Sequence, residues 1–426
     1  MTLLIGQTED TTPGIGFNAP AAAQRRYDIV DDGDAGLVTI AATGAGKGVS
    51  QVIPNLLVYP GSAVVIDIKG EIAAVTARRR REMGQDVYVL DPFASSKTDF
   101  IDPFDLMRRR HHSLPDDCRM LASMMAGQAR ITTDPYWDDR ARDMVTGSLL
   151  FIAEHVPDHQ RSLPLVQKFW TADTRRIAEG LSIMRESPFH DGLMGRYANQ
   201  FIDAPEKTRA SIHSSIHNQV EFLSSPMGQR GLGPGARGRK VDLEGLTLGR
   251  PMTIYLTVPP AFLASHGALL RVWIGTLLAA AMRRERIPAR PTLFLVDEAA
   301  QLGHLDQLLT AATLMRGYGL RVWTFWQSLA QMERIYGTSA RELLDNAGTV
   351  SVFGMGSAAS AGQLAALTGW TGDPFSLGTR RQIVCQTGRP AVSARKVSYL
   401  RDPRFRGMFD PNPFHADKSC KREGVR

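Results

Sequence analysis

Seven short apolar runs limit this chain more than any other feature: residues 36–41, 62–67, 86–90, 253–258, 292–297, 320–326 and 349–353, most of them closing near Gly, Asp or Pro. A strand with one wet face alternates apolar and polar residues. Nearly unbroken runs of Val, Ile, Leu and aromatics fit strands covered by helices on both faces, as in a parallel sheet. Helix-period sequence separates the runs. The expected fold is therefore α/β of the doubly wound kind, with a mainly parallel sheet.

The runs are unevenly spaced. Three precede residue 91, and the next begins at 253. Between them the apolar period is helical: Ala141, Val145, Leu149, Ile152 and Ala153 within 135–156, then Ile212, Ile216, Val220 and Leu223 within 207–223. This gap implies an all-α domain at 103–227 inserted into a sheet-forming domain made of 36–102 and 241–416. Residues 228–240 hold five Gly and four basic residues and read as a return linker. Residues 1–35 form an N-terminal extension and 417–426 a tail.

Residues 41–48 read A-A-T-G-A-G-K-G, between the run at 36–41 and a helical stretch. A strand, a glycine-rich turn and a helix N-terminus make a cradle of backbone N–H groups suited to phosphate. In that reading Ala41, Thr43, Gly44, Ala45, Gly46, Lys47 and Gly48 surround the phosphates of ATP, and Lys47 reaches the β- and γ-phosphates. Two positions depart from the usual pattern. Ala41 replaces its first glycine, and Gly48 removes the hydroxyl that normally holds Mg2+. An ordinary Gly-rich turn is the competing reading.

Residues 293–298, L-F-L-V-D-E, put two acids at the end of an apolar strand, the edge of a parallel sheet where ligands bind. Asp297 would hold Mg2+, and Glu298 would orient or activate the attacking water. Taken alone, the pair equally fits an acidic helix cap. Gln327 follows the run at 320–326, where an amide can sense the γ-phosphate, or lie in a surface turn. Arg316 is a candidate arginine finger for a neighbouring subunit's nucleotide, or an exposed loop arginine.

Other signals are weaker. His213, His217 and Glu221 share a helix face at four-residue steps, a spacing open to metal, but a solvated or intersubunit face is the plainer reading. The basic runs 78–81, 108–112 and 237–240 could touch nucleic acid or close helices. Trp137 reads as a packing anchor rather than a base-stacking residue. The excess of 50 Lys and Arg over 43 Asp and Glu permits a polyanionic partner. Cys118, Cys385 and Cys420 lie too far apart in sequence for a CxxC pair, which argues against a disulfide framework or zinc site. The longest apolar stretch, 269–282, is 14 residues against the ~20 of a membrane span, so no span and a cytoplasmic location are expected.

Together these segments resemble the type IV secretion coupling proteins, the TraG/TraD-like conjugative DNA-transfer ATPases. The likeness rests on T-G-A-G-K-G-V-S-Q-V-I-P-N-L-L, on V-V-I-D-I-K-G-E at 64–71 and on V-Y-V-L-D-P-F at 87–93. L-F-L-V-D-E-A, R-G-Y-G-L-R, W-Q-S-L-A-Q, Asn346 and Y-L-R-D-P at 399–403 follow in order. It covers about residues 36–416, and Gly after the lysine is a habit of that family. The resemblance implies a RecA-like P-loop NTPase domain with an inserted all-α domain, ATP and Mg2+ bound between subunits, and a homo-hexameric ring. The implied partners are single-stranded DNA bound without sequence preference, a relaxase or effector proteins, and the secretion channel. Such proteins usually begin with transmembrane helices, where this chain has only a stretch of about 35 residues of largely polar, Gly- and Pro-containing sequence. The chain would then be a peripheral member at the inner membrane's cytoplasmic face, or a truncated one. Two other functions compete: a duplex DNA translocase of the FtsK/HerA type, and a non-hydrolysing adaptor that recruits cargo.

Overall fold

The computed structural model describes residues 2–10, 25–94, 97–126, 136–233, 237–355 and 357–414. All seven apolar runs are strands: β3 (Gly36–Ala41), β4 (Ala63–Ile66), β5 (Asp86–Leu90), β6 (Met252–Leu256), β7 (Thr292–Val296), β8 (Leu320–Trp326) and β9 (Ala347–Phe353). Four more belong to the same sheet: β1 (Leu3–Asp10), β2 (Arg25–Asp31), β10 (Arg381–Gln386) and β11 (Val392–Arg395). The order is β2-β1-β11-β10-β9-β3-β8-β7-β4-β6-β5. From β9 to β5 every pairing is parallel, and from β9 to β2 every pairing is antiparallel. This is the RecA-like α/β sheet expected from the sequence, with an antiparallel flank that its apolar pattern does not announce.

Successive side chains leave a strand on opposite faces, and the two cores sort accordingly. Val38, Ile40, Val64, Ile66, Phe294 and Val296 face one core, while Leu37, Ala63, Val65, Leu293, Leu295 and Trp323 face the other. The second face is covered by α1 (Ile53–Val58) and α2 (Glu71–Glu82), through Leu56, Leu57, Ile72 and Val75. The first is covered by the helix Leu263–Met282, in which Leu269, Leu270, Trp273, Ile274, Leu277 and Leu278 are fully buried. This helix is longer than the apolar stretch in the sequence, and Pro260–Met282 is long and apolar enough to cross a membrane. In this fold it is the core helix against the sheet.

Between β5 and β6 the chain is helical. Here lie α3 (Leu114–Met125), α4 (Tyr136–His155), α5 (Pro164–Trp170), α6 (Thr174–Glu186), α7 (Phe189–Ile202) and α8 (Glu206–Val220). Their apolar faces continue the sheet's first core without a break, from Leu121 and Met124 through Val145 and Leu149 to Ile216 and Val220. The chain returns through a bridge between Phe100 and Lys240, which pins residues 237–240 beside 98–100.

A buried polar network ties β1 and β10 to the central sheet. Asn55 on α1 donates to the Leu4 carbonyl and accepts from the Leu4 N–H, both at 2.8 Å. Gln51 accepts from the Thr39 hydroxyl at 2.8 Å and donates to Gln382 at 3.1 Å, and Gln382 donates to the Ile5 carbonyl at 2.7 Å. Thr39, Gln51, Asn55 and Gln382 are all fully buried, so each polar atom needs such a partner.

Candidate nucleotide site

At the end of β3 the chain turns tightly, the Ala45 N–H donating to the Ala42 carbonyl at 3.1 Å. Gly44 and Gly46 have φ of 76° and 92°, the left-handed region that side chains disfavour. The first turn of the following helix is widened: the Ile53 N–H reaches the Gly48 carbonyl, five residues back. Pro54 gives the reason, since its ring would clash with the carbonyl four residues earlier in an ordinary α-turn. Ser50 is turned inward, its hydroxyl donating to the Gly46 carbonyl at 2.8 Å, so it supplies no replacement for the hydroxyl missing at Gly48. A Cβ at Gly48 would meet nothing within 4 Å.

Three strand ends converge beside this loop. Lys47, 7% exposed, donates to the Ala41 carbonyl at 3.2 Å and lies 3.3 Å from Glu298 Oε1. The other Glu298 oxygen accepts from Gln327 Nε2 at 2.8 Å. Glu298 itself sits at φ 54°, ψ 52°. A non-glycine residue in that region stores strain and marks an imposed geometry. Lys47, Glu298 and Gln327 therefore form one chain of contacts from β3 through β7 to β8.

Asp297 immediately precedes Glu298, just past the end of β7. Its Oδ1 is buried with no hydrogen-bond partner among the described residues. Burial, reinforced by the Glu298 charge and opposed by Lys47, pushes its pKa up to about 6. An orphaned carboxylate oxygen at the ligand-binding edge of a parallel sheet fits a divalent cation, which would restore both its charge and its partner. Asp67 extends the same edge: Ile66 pairs with Val296, so Asp67 and Asp297 follow on adjacent strands. Asp67 caps α2, accepting from the Ala73 N–H at 2.7 Å, and burial raises its pKa to about 7 despite that bond. The V-V-I-D segment repeats the apolar-strand-then-acid signal of L-F-L-V-D and marks Asp67 in the sequence itself. Lys396, just past β11, was missed altogether: its Nζ donates to the Ala45 carbonyl of the loop at 2.7 Å.

Arg316 lies elsewhere. With Asp34, Asp345, Asn346, Gly348 and Arg389 it lines a cleft of about 340 Å3 where β3 and β9 begin, the opposite edge of the sheet from residues 41–48. It is partly exposed, with Asp34 3.9 Å away. Among the weighed residues, Arg80 is fully buried and donates to the Leu56, Tyr59 and Gly61 carbonyls, Gln85 and Thr253, a structural knot closed to nucleic acid. Arg78 pairs with Glu82 and Asp410. Arg109 caps the end of α4 at the Ala153 and Val156 carbonyls, Arg239 covers Tyr88, and Lys240 pairs with Asp105. His213 faces the Trp170 carbonyl, away from the His217–Glu221 pair, and the described residues contain no metal-binding group of three or more such side chains. Trp137 packs against the helical core.

Comparison with known proteins gives a consistent result. Residues 9–371 match the family model for type IV secretory system conjugative DNA transfer. The chain is 28% identical over 306 residues to the conjugal transfer protein TraG of Agrobacterium fabrum, covering 70% of this chain and 45% of that protein. It is 24% identical over 354 residues to the type IV secretion system-coupling protein VirD4 of Bartonella quintana, covering 80% and 53%. It thus spans about half the length of the curated relatives it matches. Among solved structures, the plasmid coupling protein TrwB in complex with the non-hydrolysable ATP analogue ADPNP superposes with a TM-score of 0.66 at 17% identity, covering 87% of this chain and 88% of that one. TrwB has also been solved in complex with ADP and Mg2+, with the same score and coverage.

Proposed function

The chain belongs to the type IV secretory conjugative DNA-transfer family, and on that premise we propose that it is the ATP-hydrolysing motor of a coupling protein, driving DNA or a relaxase–DNA conjugate towards a secretion channel. One observation carries the reading: Lys47, Glu298 and Gln327, from three separate strand ends, join in a single contact chain beside the orphaned carboxylate of Asp297. A fold that needed only stability would have no reason to strain Glu298 and strand a buried charge.

The loop of residues 41–48 binds the triphosphate of ATP through backbone N–H groups and Lys47, whose present bond to Glu298 is exchanged for phosphate. Asp297 would hold Mg2+, with Asp67 at the end of the adjacent strand. A Mg2+ ion held there would supply charge neutralisation at the phosphates. Glu298, released from Lys47, orients the attacking water and accepts its proton, and Gln327 holds the Glu298 carboxylate in register with the strand end. Arg316 has no nucleotide of its own to serve, being at the far sheet edge, and acts on the neighbour's in a homo-hexameric ring. The helices of residues 103–227 form the domain that meets the relaxase or effector, and the chain works at the cytoplasmic face of the inner membrane.

The test is steady-state ATP hydrolysis with and without single-stranded DNA, beside Glu298→Gln. The expected result is turnover that rises with DNA and falls by at least ~100-fold in the variant. Wild-type protein that binds ATP without turning it over, with or without DNA, favours the adaptor reading. Stimulation by duplex ends rather than single strands favours a duplex translocase.

A further inference from the structure

We infer that Lys396 is a second lysine of the phosphate site, acting not on phosphate directly but through the Ala45–Gly46 peptide group, and that it couples the C-terminal segment to nucleotide binding. The inference rests on the nucleotide-binding reading above.

The geometry is specific. Lys396 Nζ donates to the Ala45 carbonyl at 2.7 Å and stands over the Phe353 ring, 4.7 Å from its centroid. The carbonyl of Ala45 and the N–H of Gly46 are the two ends of one planar peptide unit. The Gly46 N–H has no acceptor within the protein among the described residues and belongs to the turn that cradles phosphate. An ammonium on the oxygen withdraws electron density along the peptide and makes the N–H a stronger donor, the ordinary cooperativity of linked hydrogen bonds. It also brings a positive charge within a peptide's length of the anion, in surroundings of low dielectric.

Among the described residues Lys396 has no carboxylate partner to account for it. Its recorded contacts are a backbone carbonyl and an aromatic face, and burial lowers its pKa with nothing to offset the loss. A half-buried cation without a counter-ion is unfavourable unless an anion arrives. The β9 end also packs directly on the loop: a Cβ at Gly354 would lie 2.4 Å from the Ala45 Cβ. Beyond Lys396 the chain runs over the widened turn that precedes α1 and over α2, with Tyr399 N–H on the Val49 carbonyl, Asp410 N–H on the Val75 carbonyl, and Asn412 on Glu71. The lysine is the point where this strap meets the phosphate loop.

The experiment compares wild type with Lys396→Met, which keeps the length but loses the charge and the donor, and Lys396→Arg, which keeps both. Lys47→Ala serves as the control. ADP and a non-hydrolysable ATP analogue are titrated by calorimetry, KM and kcat are measured for ATP, and the nucleotide-free melting temperature is recorded. Lys396→Met should raise Kd and KM roughly tenfold, equal to about 1.4 kcal/mol. Its kcat should stay near wild type and its melting temperature should not fall, while Lys396→Arg should recover most of the affinity. Unchanged affinity in Lys396→Met, with Lys47→Ala impaired, overturns this inference alone. Equal damage in Met and Arg variants accompanied by a lower melting temperature assigns Lys396 a purely structural role and also overturns it. Wild-type protein that binds neither nucleotide overturns the functional reading as well.

Discussion

Asp297 and Asp67 are both held well above the ordinary carboxylate range by burial, and Asp297 also has an oxygen with no hydrogen-bond partner among the described residues. The folded pKa of Asp297 is about 6 and that of Asp67 about 7, against an ordinary 3.8 for both. A carboxyl whose pKa is higher in the folded than in the unfolded chain binds its proton more tightly when folded. The pair therefore stabilises the nucleotide-free protein most fully below 3.8, and that contribution is lost as pH rises through 6 and 7. Asp297→Asn removes the buried charge but keeps the shape. We expect urea denaturation at pH 8 to find the variant more stable than wild type by about 1–3 kcal/mol, and the difference to vanish near pH 4. The same variant should lose Mg2+-dependent nucleotide binding. A variant less stable than wild type at pH 8 would mean that the Asp297 charge is already compensated within the protein.

Among the elements, α1 shows how much of the phosphate loop's rigidity is borrowed from distant sequence. Its Asn55 side chain satisfies both backbone groups of Leu4, 51 residues away, and also donates to the Gln51 carbonyl at 2.7 Å. Asn55→Leu should leave the Leu4 N–H and carbonyl unpaired in a fully buried place, a loss of about 2–4 kcal/mol readable by chemical denaturation. Nucleotide affinity should fall with it, because α1 continues the helix that opens at Lys47. This non-local dependence also explains what the sequence did and did not disclose. The central strands announced themselves because burial on both faces demands unbroken apolar runs, and Lys47, Glu298 and Gln327 were legible because each closes or follows such a run. The flank strands β1, β2, β10 and β11 include Arg25, Arg26, Arg381 and Arg395, which break the apolar pattern, and the pairing that joins β1 to β11, Gln7 against Arg395, links residues hundreds of positions apart. Lys396 had no local signal for the same reason: its meaning lies in Ala45, 351 residues distant. Asp67 differs, since its strand-then-acid pattern was in view and only its role was not drawn.

For the molecule as a whole, the separation of Arg316 from its own phosphate loop is the fact with the widest consequence. The cleft around it opens at the N-terminal edge of β3 and β9, while Lys47, Asp297 and Glu298 lie at the C-terminal edge of the same sheet. One chain cannot bring the two together without dismantling the sheet, yet two chains in a head-to-tail ring can, because such an interface presents one subunit's leading edge to the next one's trailing edge. If Arg316 acts across that interface, Arg316→Ala and Lys47→Ala should each be inactive alone but complement one another when mixed. An Arg316→Ala subunit keeps an intact phosphate loop, and a Lys47→Ala neighbour supplies the missing arginine. Random mixing in equal amounts makes roughly a quarter of the interfaces competent, so ATP turnover should recover to a measurable fraction of wild type, rising and falling with the mixing ratio and peaking near equality. Failure to recover, in mixtures shown by mass measurement to form rings of both variants, would return Arg316 to the role of a surface residue paired with Asp34.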